Sequence, residues 1–148
     1  MSMLTIQHWI DAPPVDIWRA YTTPEMFHQF FAPDGLHIPL ESVVMELRVG
    51  GRFEFDMVFD SSGEVSPNRG LVQEMDPPSR MVFCEPDFMG AELRSIQEFV
   101  PDGSGTLITI YQDGLPDNVV NDPEVLAAFR SCFRKLGLLL DVVTENRG

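Results

Sequence analysis

The sequence has few cysteines, little positive charge and no long hydrophobic run. Its 148 residues include only two cysteines, Cys84 and Cys132, so a disulfide framework is not expected. Ten Lys and Arg stand against 23 Asp and Glu, which gives a formal net charge of −13. Because nucleic-acid affinity rests on basic side chains that neutralise phosphates, DNA and RNA are not expected partners. No run of about 18 apolar residues occurs, so membrane insertion is not expected either.

The amino terminus also lacks the pattern of a signal peptide. Residues 1–14, MSMLTIQHWIDAPP, contain no basic segment followed by an apolar run, so a cytoplasmic location is predicted. The length is about that of one domain, and no repeat, low-complexity tract or linker divides the chain. Hydrophobic residues make up 44% of the chain and charged residues 22%, as in folded globular proteins. A single domain over residues 1–148 is therefore predicted.

Alternation of apolar and polar residues predicts strands along most of the chain. The turns that separate these segments are rich in Gly, Asp, Ser and Pro, which accept tight or left-handed geometry. Short connections of this kind favour antiparallel neighbours. The predicted strands are residues 3–10, 42–49, 52–59, 69–75, 80–85, 92–100 and 106–112.

Proline-marked start signals predict three helices. The first short helix begins near Pro14, and a second, with the Thr23 hydroxyl as its N-cap, continues to about Phe30. Asp122 is the predicted N-cap of an amphipathic helix of more than twenty residues that ends the chain. The segment 32–41, with two prolines and an Asp-Gly pair, is interpreted as a loop.

This order of elements predicts one architecture. A twisted antiparallel sheet and a single long helix can both bury their apolar faces only if the sheet curls around the helix. We therefore predict an α+β helix-grip fold, in which a curved antiparallel sheet wraps around a long C-terminal helix and two short helices follow the first strand. The alternating row Phe53, Phe55, Met57 and Phe59 is predicted to face the concave side.

Four segments, in order and spacing, resemble a known family: IDAPPVDIWRAYTTPEMFHQFF, RVGGRFEF, GLVQEMDPPSRMVF and SGTLITIYQDGLPD. The chain resembles the START/Bet v 1-like (SRPBCC) superfamily, specifically proteins like the C-terminal domain of the activator of Hsp90 ATPase. The resemblance covers nearly the whole chain and implies the helix-grip fold. The chain departs from the family at two places: Phe30-Phe31, where paired tryptophans are common in the family, and Ala127-Ala128-Phe129, where Gly-Trp is common. Phenylalanine keeps the bulk but loses the indole donor.

Catalytic and metal-binding patterns are not recognisable in the sequence. The three histidines, His8, His28 and His37, have no spacing that brings two onto one face, so no metal site is predicted. There is no GxSxG elbow and no phosphate loop, and Gly50-Gly51 is interpreted as a bend that lets the strand re-enter the sheet at an angle. No catalytic residue is assigned and no cofactor is expected.

Phenylalanine and methionine are more abundant at inward positions than strand alternation requires, which predicts a cavity between sheet and long helix. Methionine suits adaptable surfaces, whereas Leu, Ile and Val are the usual choice for a tightly specified core. The alternative is that the same side chains interlock without a void. The predicted ligand-binding residues are Phe30, Phe53, Phe55, Met57, Phe59, Met81, Phe83, Phe88, Met89, Gln97, Phe99, Ile108, Ile110, Gln112, Phe129, Phe133 and Leu136.

A few polar side chains share the inward face and would orient a guest. Gln97 and Gln112 belong to the predicted set, and Glu85 and Ser95 have the same parity as their apolar neighbours. If the predicted register is wrong by one residue, each side chain lies on the opposite face of the sheet, and Arg94, Tyr111 and Asp113 point inward instead.

The sequence therefore predicts binding of a small hydrophobic or amphipathic molecule, with the two short helices and the 32–41 loop as a rim and the loop as a mobile gate. The resemblance implies an alternative, a co-chaperone or stress-response protein that acts on a chaperone partner through its surface. A second alternative is a cyclase-type or hydrolase-type enzyme that uses the same cavity, because fold does not fix function. An exposed strand edge could also support a homodimer.

Overall fold

The protein forms an antiparallel sheet of eight strands, as seen in a computed structural model that describes residues 2–88 and 91–147. Within these ranges, the side chains of residues 3–87 and 91–141 are described. The strands are β1 (Ser2–Ile10), β2 (Leu36–His37), β3 (Val44–Met45), β4 (Arg52–Phe59), β5 (Val65–Asp76), β6 (Arg80–Phe88), β7 (Ala91–Asp102) and β8 (Gly105–Leu115).

The helices lie at the two ends of the chain. They are α1 (Pro14–Thr22), α2 (Pro24–Phe30), α3 (Asp117–Val120) and α4 (Pro123–Arg147), with one 3-10 turn at Leu40–Ser42. The sheet runs in the order β1-β8-β7-β6-β5-β4-β2, with β3 paired to the other part of β4, and all pairs are antiparallel. The predicted α+β helix-grip fold is confirmed. No helix among the described residues has both the length and the apolar character needed to cross a bilayer.

The predicted strand at 42–49 is only two residues long. Only Val44–Met45 pairs with β4, because the chain then folds back on itself through a hydrogen bond from the Gly51 N–H to the Arg48 carbonyl at 2.8 Å. Gly50 has a φ of 85°, which side chains with a Cβ rarely adopt, and a Cβ on Gly51 would collide with the carbonyl oxygen of Glu46. The double glycine therefore forms a tight turn.

Several boundaries differ from the sequence prediction. The 32–41 loop contains β2 and the 3-10 turn, α3 was not predicted, and β5 begins at Val65 instead of residue 69. Thr23 occupies the N-cap position of α2, but its side chain makes no capping hydrogen bond. The predicted cap of α4 is confirmed, because Asp122 Oδ1 accepts a hydrogen bond from the Glu124 N–H at 2.9 Å.

The long helix packs on one side of the concave face. α4 contacts mainly α2 and β1, where the rings of His8 and Phe133 stack with centroids 4.9 Å apart. α1 packs against β7 and β8, and Tyr21 lies 5.1 Å from Phe99 between ring centroids. This placement fills the concave side near β1, β7 and β8. It leaves a space above the middle strands.

Candidate ligand-binding site

A cavity of about 290 Å³ lies between the curved sheet, α2 and α4. This volume is at the lower end of the range found for small-molecule pockets. Side chains from α1, α2, α4 and five strands line it, and most of them are apolar. The lining consists of Tyr21, Phe27, Phe30, Phe31, Pro33, Phe53, Phe55, Met57, Ser66, Asn68, Gly70, Phe83, Glu85, Leu93, Ser95, Gln97, Ile110, Gln112, Ala128, Phe129, Cys132 and Phe133.

Aromatic rings form one wall of the cavity and contact one another. Phe27, on α2, meets the rings of Phe53 and Phe55 edge-on, with centroids 5.3 and 5.2 Å apart. Phe31 approaches Phe55 at 5.5 Å, and Phe53 lies 4.2 Å from Phe83. Aromatic pairs in such arrangements contribute about 0.5–1.5 kcal/mol beyond their buried area. The wall is therefore held in shape by its own ring contacts.

Polar side chains from β7 and β8 form a hydrogen-bonded group in the lining. Ser95 and Gln112 are direct cross-strand partners, and Ser95 Oγ accepts hydrogen bonds from Gln97 Nε2 at 2.6 Å and Gln112 Nε2 at 2.7 Å. Gln97 is only 2% exposed, and its Oε1 has no hydrogen-bond partner among the described residues. A buried polar atom left unpaired costs about 1–3 kcal/mol. This acceptor is a group that a ligand with a donor can satisfy.

Glu85, on β6, is the one carboxylate in the lining. It lies beside Gly70, where a Cβ would be 3.7 Å from Glu85 Cγ and 2.9 Å from the Phe53 carbonyl oxygen. Burial raises the pKa of Glu85 to about 7, opposed by the positive charge of Arg69. The Arg69 guanidinium is itself engaged by Asp56 at 2.9 Å. The carboxyl group is therefore poised between its neutral and charged forms near neutral pH.

The lining offers little for nucleophilic chemistry. Burial raises the pKa of Cys132 to about 12, which keeps the thiol protonated, and its Sγ donates to the Phe31 carbonyl at 3.3 Å. Burial likewise raises the pKa of Tyr21. Ser95 is bonded by two amides, and no hydrogen bond joins it to a carboxylate or histidine among the described residues. Within residues 2–88 and 91–147, no group of three or more His, Cys, Asp or Glu could hold a metal ion.

The start of the predicted gate is fastened to α4. Asp34 accepts hydrogen bonds from Arg134 Nη2 at 2.6 and 2.9 Å, and the Asp34 N–H donates to Ser131 Oγ at 3.1 Å. Lys135 Nζ donates to the Ala32 carbonyl at 2.8 Å. Of the 32–41 segment, only Pro33 lines the cavity. These contacts join the start of the segment to α4, and a mobile gate formed by the segment stays a prediction.

Ten of the predicted residues line the cavity, and five do not. Those in the lining are Phe30, Phe53, Phe55, Met57, Phe83, Gln97, Ile110, Gln112, Phe129 and Phe133. Phe59 is instead 40% exposed, because it ends β4 beside the hairpin turn. Met81, Phe99, Ile108 and Leu136 point inward but are fully buried in the packed core. Met89 and the side chain of Phe88 lie outside the described residues. That the lining binds a ligand stays a prediction.

The polar residues have the predicted register. Glu85 and Ser95 line the cavity, whereas Arg94, Tyr111 and Asp113 do not. Other lining residues were missed. The sequence held a signal for three of them, because apolar residues at helical spacing share a face. Phe27 and Phe31 are one helical turn apart, and Cys132 lies within the apolar stripe of α4. The remaining missed residues are Tyr21, Pro33, Leu93, Ala128 and three on β5, namely Ser66, Asn68 and Gly70.

Comparison with known proteins gives a consistent result. The family described as "Activator of Hsp90 ATPase homolog 1-like protein" matches residues 11–141. A crystal structure of a protein from Nitrosomonas europaea is similar with a TM-score of 0.83 at 22% identity, covering 97% of this chain and 96% of that one. A crystal structure of a Chromobacterium violaceum protein has a TM-score of 0.81 at 20% identity, and the match covers 94% of this chain and 97% of that one. The solution structure of the AHSA1-like protein of Aeromonas hydrophila has a TM-score of 0.77 at 17% identity, and the match covers 97% of this chain and 94% of that one. At these identities the likeness shows the fold alone. No curated protein sequence matches the chain.

Proposed function

Since the chain belongs to the family of Activator of Hsp90 ATPase homolog 1-like proteins, with the fold of the SRPBCC superfamily, we propose that it binds a small apolar or amphipathic molecule in the cavity. The observation that carries this proposal is the space of about 290 Å³ walled by phenylalanine rings, with a hydrogen-bonded polar group at Ser95 and a carboxyl group at Glu85. Protein interiors are normally packed to the density of organic crystals. A void of this size with a few polar groups is what small-molecule sites have.

The apolar wall sets the scale of affinity. A guest that buries about 200 Å² of apolar surface gains up to about 5 kcal/mol at about 25 cal/mol per Å². That free energy corresponds to a dissociation constant of about 0.2 mM. Hydrogen bonds to the Ser95 group would tighten binding, while lost translational freedom would weaken it. We therefore expect measurable binding at micromolar to millimolar concentrations.

Thermal unfolding with a panel of neutral lipophilic compounds tests the proposal. Compounds that fit should raise the melting temperature with increasing concentration, because they bind only the folded state. Replacing Phe55 or Met57 by Arg places a charge in the apolar wall and should abolish the rise. Val58→Arg is the matched control, because Val58 follows Met57 on the same strand and does not line the cavity.

Two outcomes would overturn the proposal. One is a wild-type protein that responds to no compound in the panel. The other is a response that survives in both arginine variants. Met57 is only half-buried, so Met57→Arg is the variant that decides if Phe55→Arg fails to fold. Circular dichroism of each variant establishes that it is folded before binding is measured.

The family description supports a second candidate, action on a chaperone partner through the outer surface. Trp9 and Val100 are 45% and 52% exposed, and both pair with Leu107 on the sheet. Exposed apolar groups of this kind occur at protein interfaces. Stimulation of purified Hsp90 ATPase that is lost in Val100→Glu and kept in Met57→Arg would favour this candidate. A cytoplasmic location remains part of both proposals, and a homodimer through an exposed strand edge stays a prediction.

A further inference from the structure

The described lining of the cavity contains an acidic side chain and no basic one. Glu85 is the one carboxylate in the lining, and no Lys, Arg or His is among the lining residues that the structure describes. The nearby Arg69 has its guanidinium bonded by Asp56 at 2.9 Å and by the Phe55 carbonyl at 3.3 Å. Arg69 is therefore held by other partners outside the lining, and within the described lining Glu85 has no cationic side chain to pair with.

We propose that the guest carries an amine, so that the cavity takes an ammonium-bearing amphiphile with its charged group at Glu85 and its apolar body against the phenylalanine wall. This inference rests on the proposed function and names the chemical class of its ligand. The geometry that carries it is the joint placement of Glu85, Phe83 and Gly70. Phe83 precedes Glu85 by two residues on the same face of β6, and Gly70 lies so close to the Phe53 carbonyl and to Glu85 that a larger side chain there would crowd both.

An ammonium group matches what these residues lack. Its positive charge compensates a carboxylate that is partly removed from water, and its three N–H groups are donors. Gln97 Oε1 lies elsewhere in the lining, because Gln97 pairs with Met81, four residues before Glu85 on β6, and among the described residues it is an unpaired acceptor for a second donor of the guest. Phenylalanine faces attract a nearby cation as well, by about 0.5–2 kcal/mol. The carboxylate and the aromatic rings therefore favour the same kind of group.

Anionic and neutral guests fit less well. A carboxylate or phosphate would meet Glu85 with no described cation in the lining to balance the repulsion. A neutral guest would leave the Glu85 carboxyl without a charge partner. The net charge of −13 also raises the local concentration of cations at the surface and lowers that of anions.

Three probes that differ only in their head group test the inference by titration calorimetry: phenylbutylamine, phenylbutanol and phenylbutyrate. We expect the amine to bind the wild-type protein at least about tenfold tighter than the alcohol near pH 8, and the acid to bind weakest. In Glu85→Gln the amine should lose this advantage while the alcohol keeps its affinity. Glu92→Gln is the control, because it removes the same charge from an exposed site on the neighbouring strand β7.

The pH dependence provides an independent readout. Burial favours the neutral form of Glu85 in the free protein, with Arg69 as the described charge that opposes this shift. The advantage of the amine over the alcohol should therefore shrink as the pH falls from about 8 to about 6 in wild type. It should not change with pH in Glu85→Gln.

The outcomes separate this inference from the proposed function. If the alcohol binds at least as tightly as the amine, or if Glu85→Gln weakens both equally, the amine inference is wrong and ligand binding stands. If the acid binds best, the inference is also wrong. If none of the three probes binds, both the inference and the proposed function fail for guests of this size. Glu85→Gln removes a partly buried charge and keeps the side-chain shape, so the variant is expected to fold.

Discussion

Glu85→Gln should make the protein more stable, and the gain should grow with pH. In the unfolded chain the carboxyl has an ordinary pKa of 4.5, whereas burial beside Gly70 raises the pKa in the folded protein to about 7. Between these two values the folded state holds a proton that the unfolded state has released. The free energy of unfolding therefore falls as the pH rises through this window, and the loss is complete above about pH 7. Glutamine does not titrate and avoids the loss.

The magnitude follows from the two pKa values. At about 1.4 kcal/mol for each pH unit between them, the upper limit is about 3 kcal/mol. Because the carboxylate is only partly buried, solvent screening reduces the expected effect to about 1 kcal/mol. For a domain of this length, about 1 kcal/mol moves the melting temperature by about 3 °C.

Urea unfolding of wild type, Glu85→Gln and Glu92→Gln at about pH 5 and pH 8 measures this effect. Glu85→Gln should be close to wild type at the lower pH and about 1 kcal/mol more stable at the higher pH. Glu92→Gln should follow wild type at both. A Glu85→Gln advantage that is equal at the two pH values would contradict the placement of this carboxyl in a desolvated cavity.

Three further variants test the fold around the site. Gly51→Ala should destabilise the protein by more than about 2 kcal/mol, because the new Cβ collides with the backbone of Glu46, and urea unfolding that matches wild type would refute this turn. Asp122→Ala should lower the free energy of unfolding by about 1 kcal/mol through loss of the α4 cap, and an unchanged thermal midpoint would argue against the cap. Leu136→Ala should lower the free energy of unfolding by about 2–5 kcal/mol and leave probe affinity unchanged. Leu138→Ala, at a site that is 61% exposed, is its control. Weaker probe binding in Leu136→Ala would place that residue in the cavity.

The elements with strong periodic patterns could be predicted with their boundaries. β4 spans residues 52–59 as expected, because its alternation is strict and a glycine turn precedes it. The Asp122-Pro123 start of α4 was equally clear, since one residue supplies the cap and the next a fixed φ. The stretch 42–49 misled the prediction because β-branched and apolar residues also occupy the turn that Gly50 and Gly51 close.

The face of each cavity residue was predictable, whereas its depth was not. Parity placed Gln97 and Phe99 on one face of β7, and both are indeed buried there. Only Gln97 lines the cavity, because Trp18 and Tyr21 of α1 pack on Phe99, with ring centroids 6.3 and 5.1 Å away. Such coverage depends on where a helix docks, which strand alternation does not encode. Ser66 and Asn68 were hidden for another reason, since Pro67 and exposed polar neighbours disguise the start of β5.

Methionine methyl resonances provide the most direct measurement of ligand binding in the cavity. Of the methionines that the structure describes, Met57 lines the cavity, Met81 is fully buried in the packed core, and Met3 is 52% exposed. In a titration of protein with isotope-labelled methionine methyl groups, phenylbutanol should shift the Met57 signal and leave the other two in place; Met57→Leu identifies that signal. A titration in which Met57 does not respond, or in which only Met3 responds, would contradict a guest held between the curved sheet and α4.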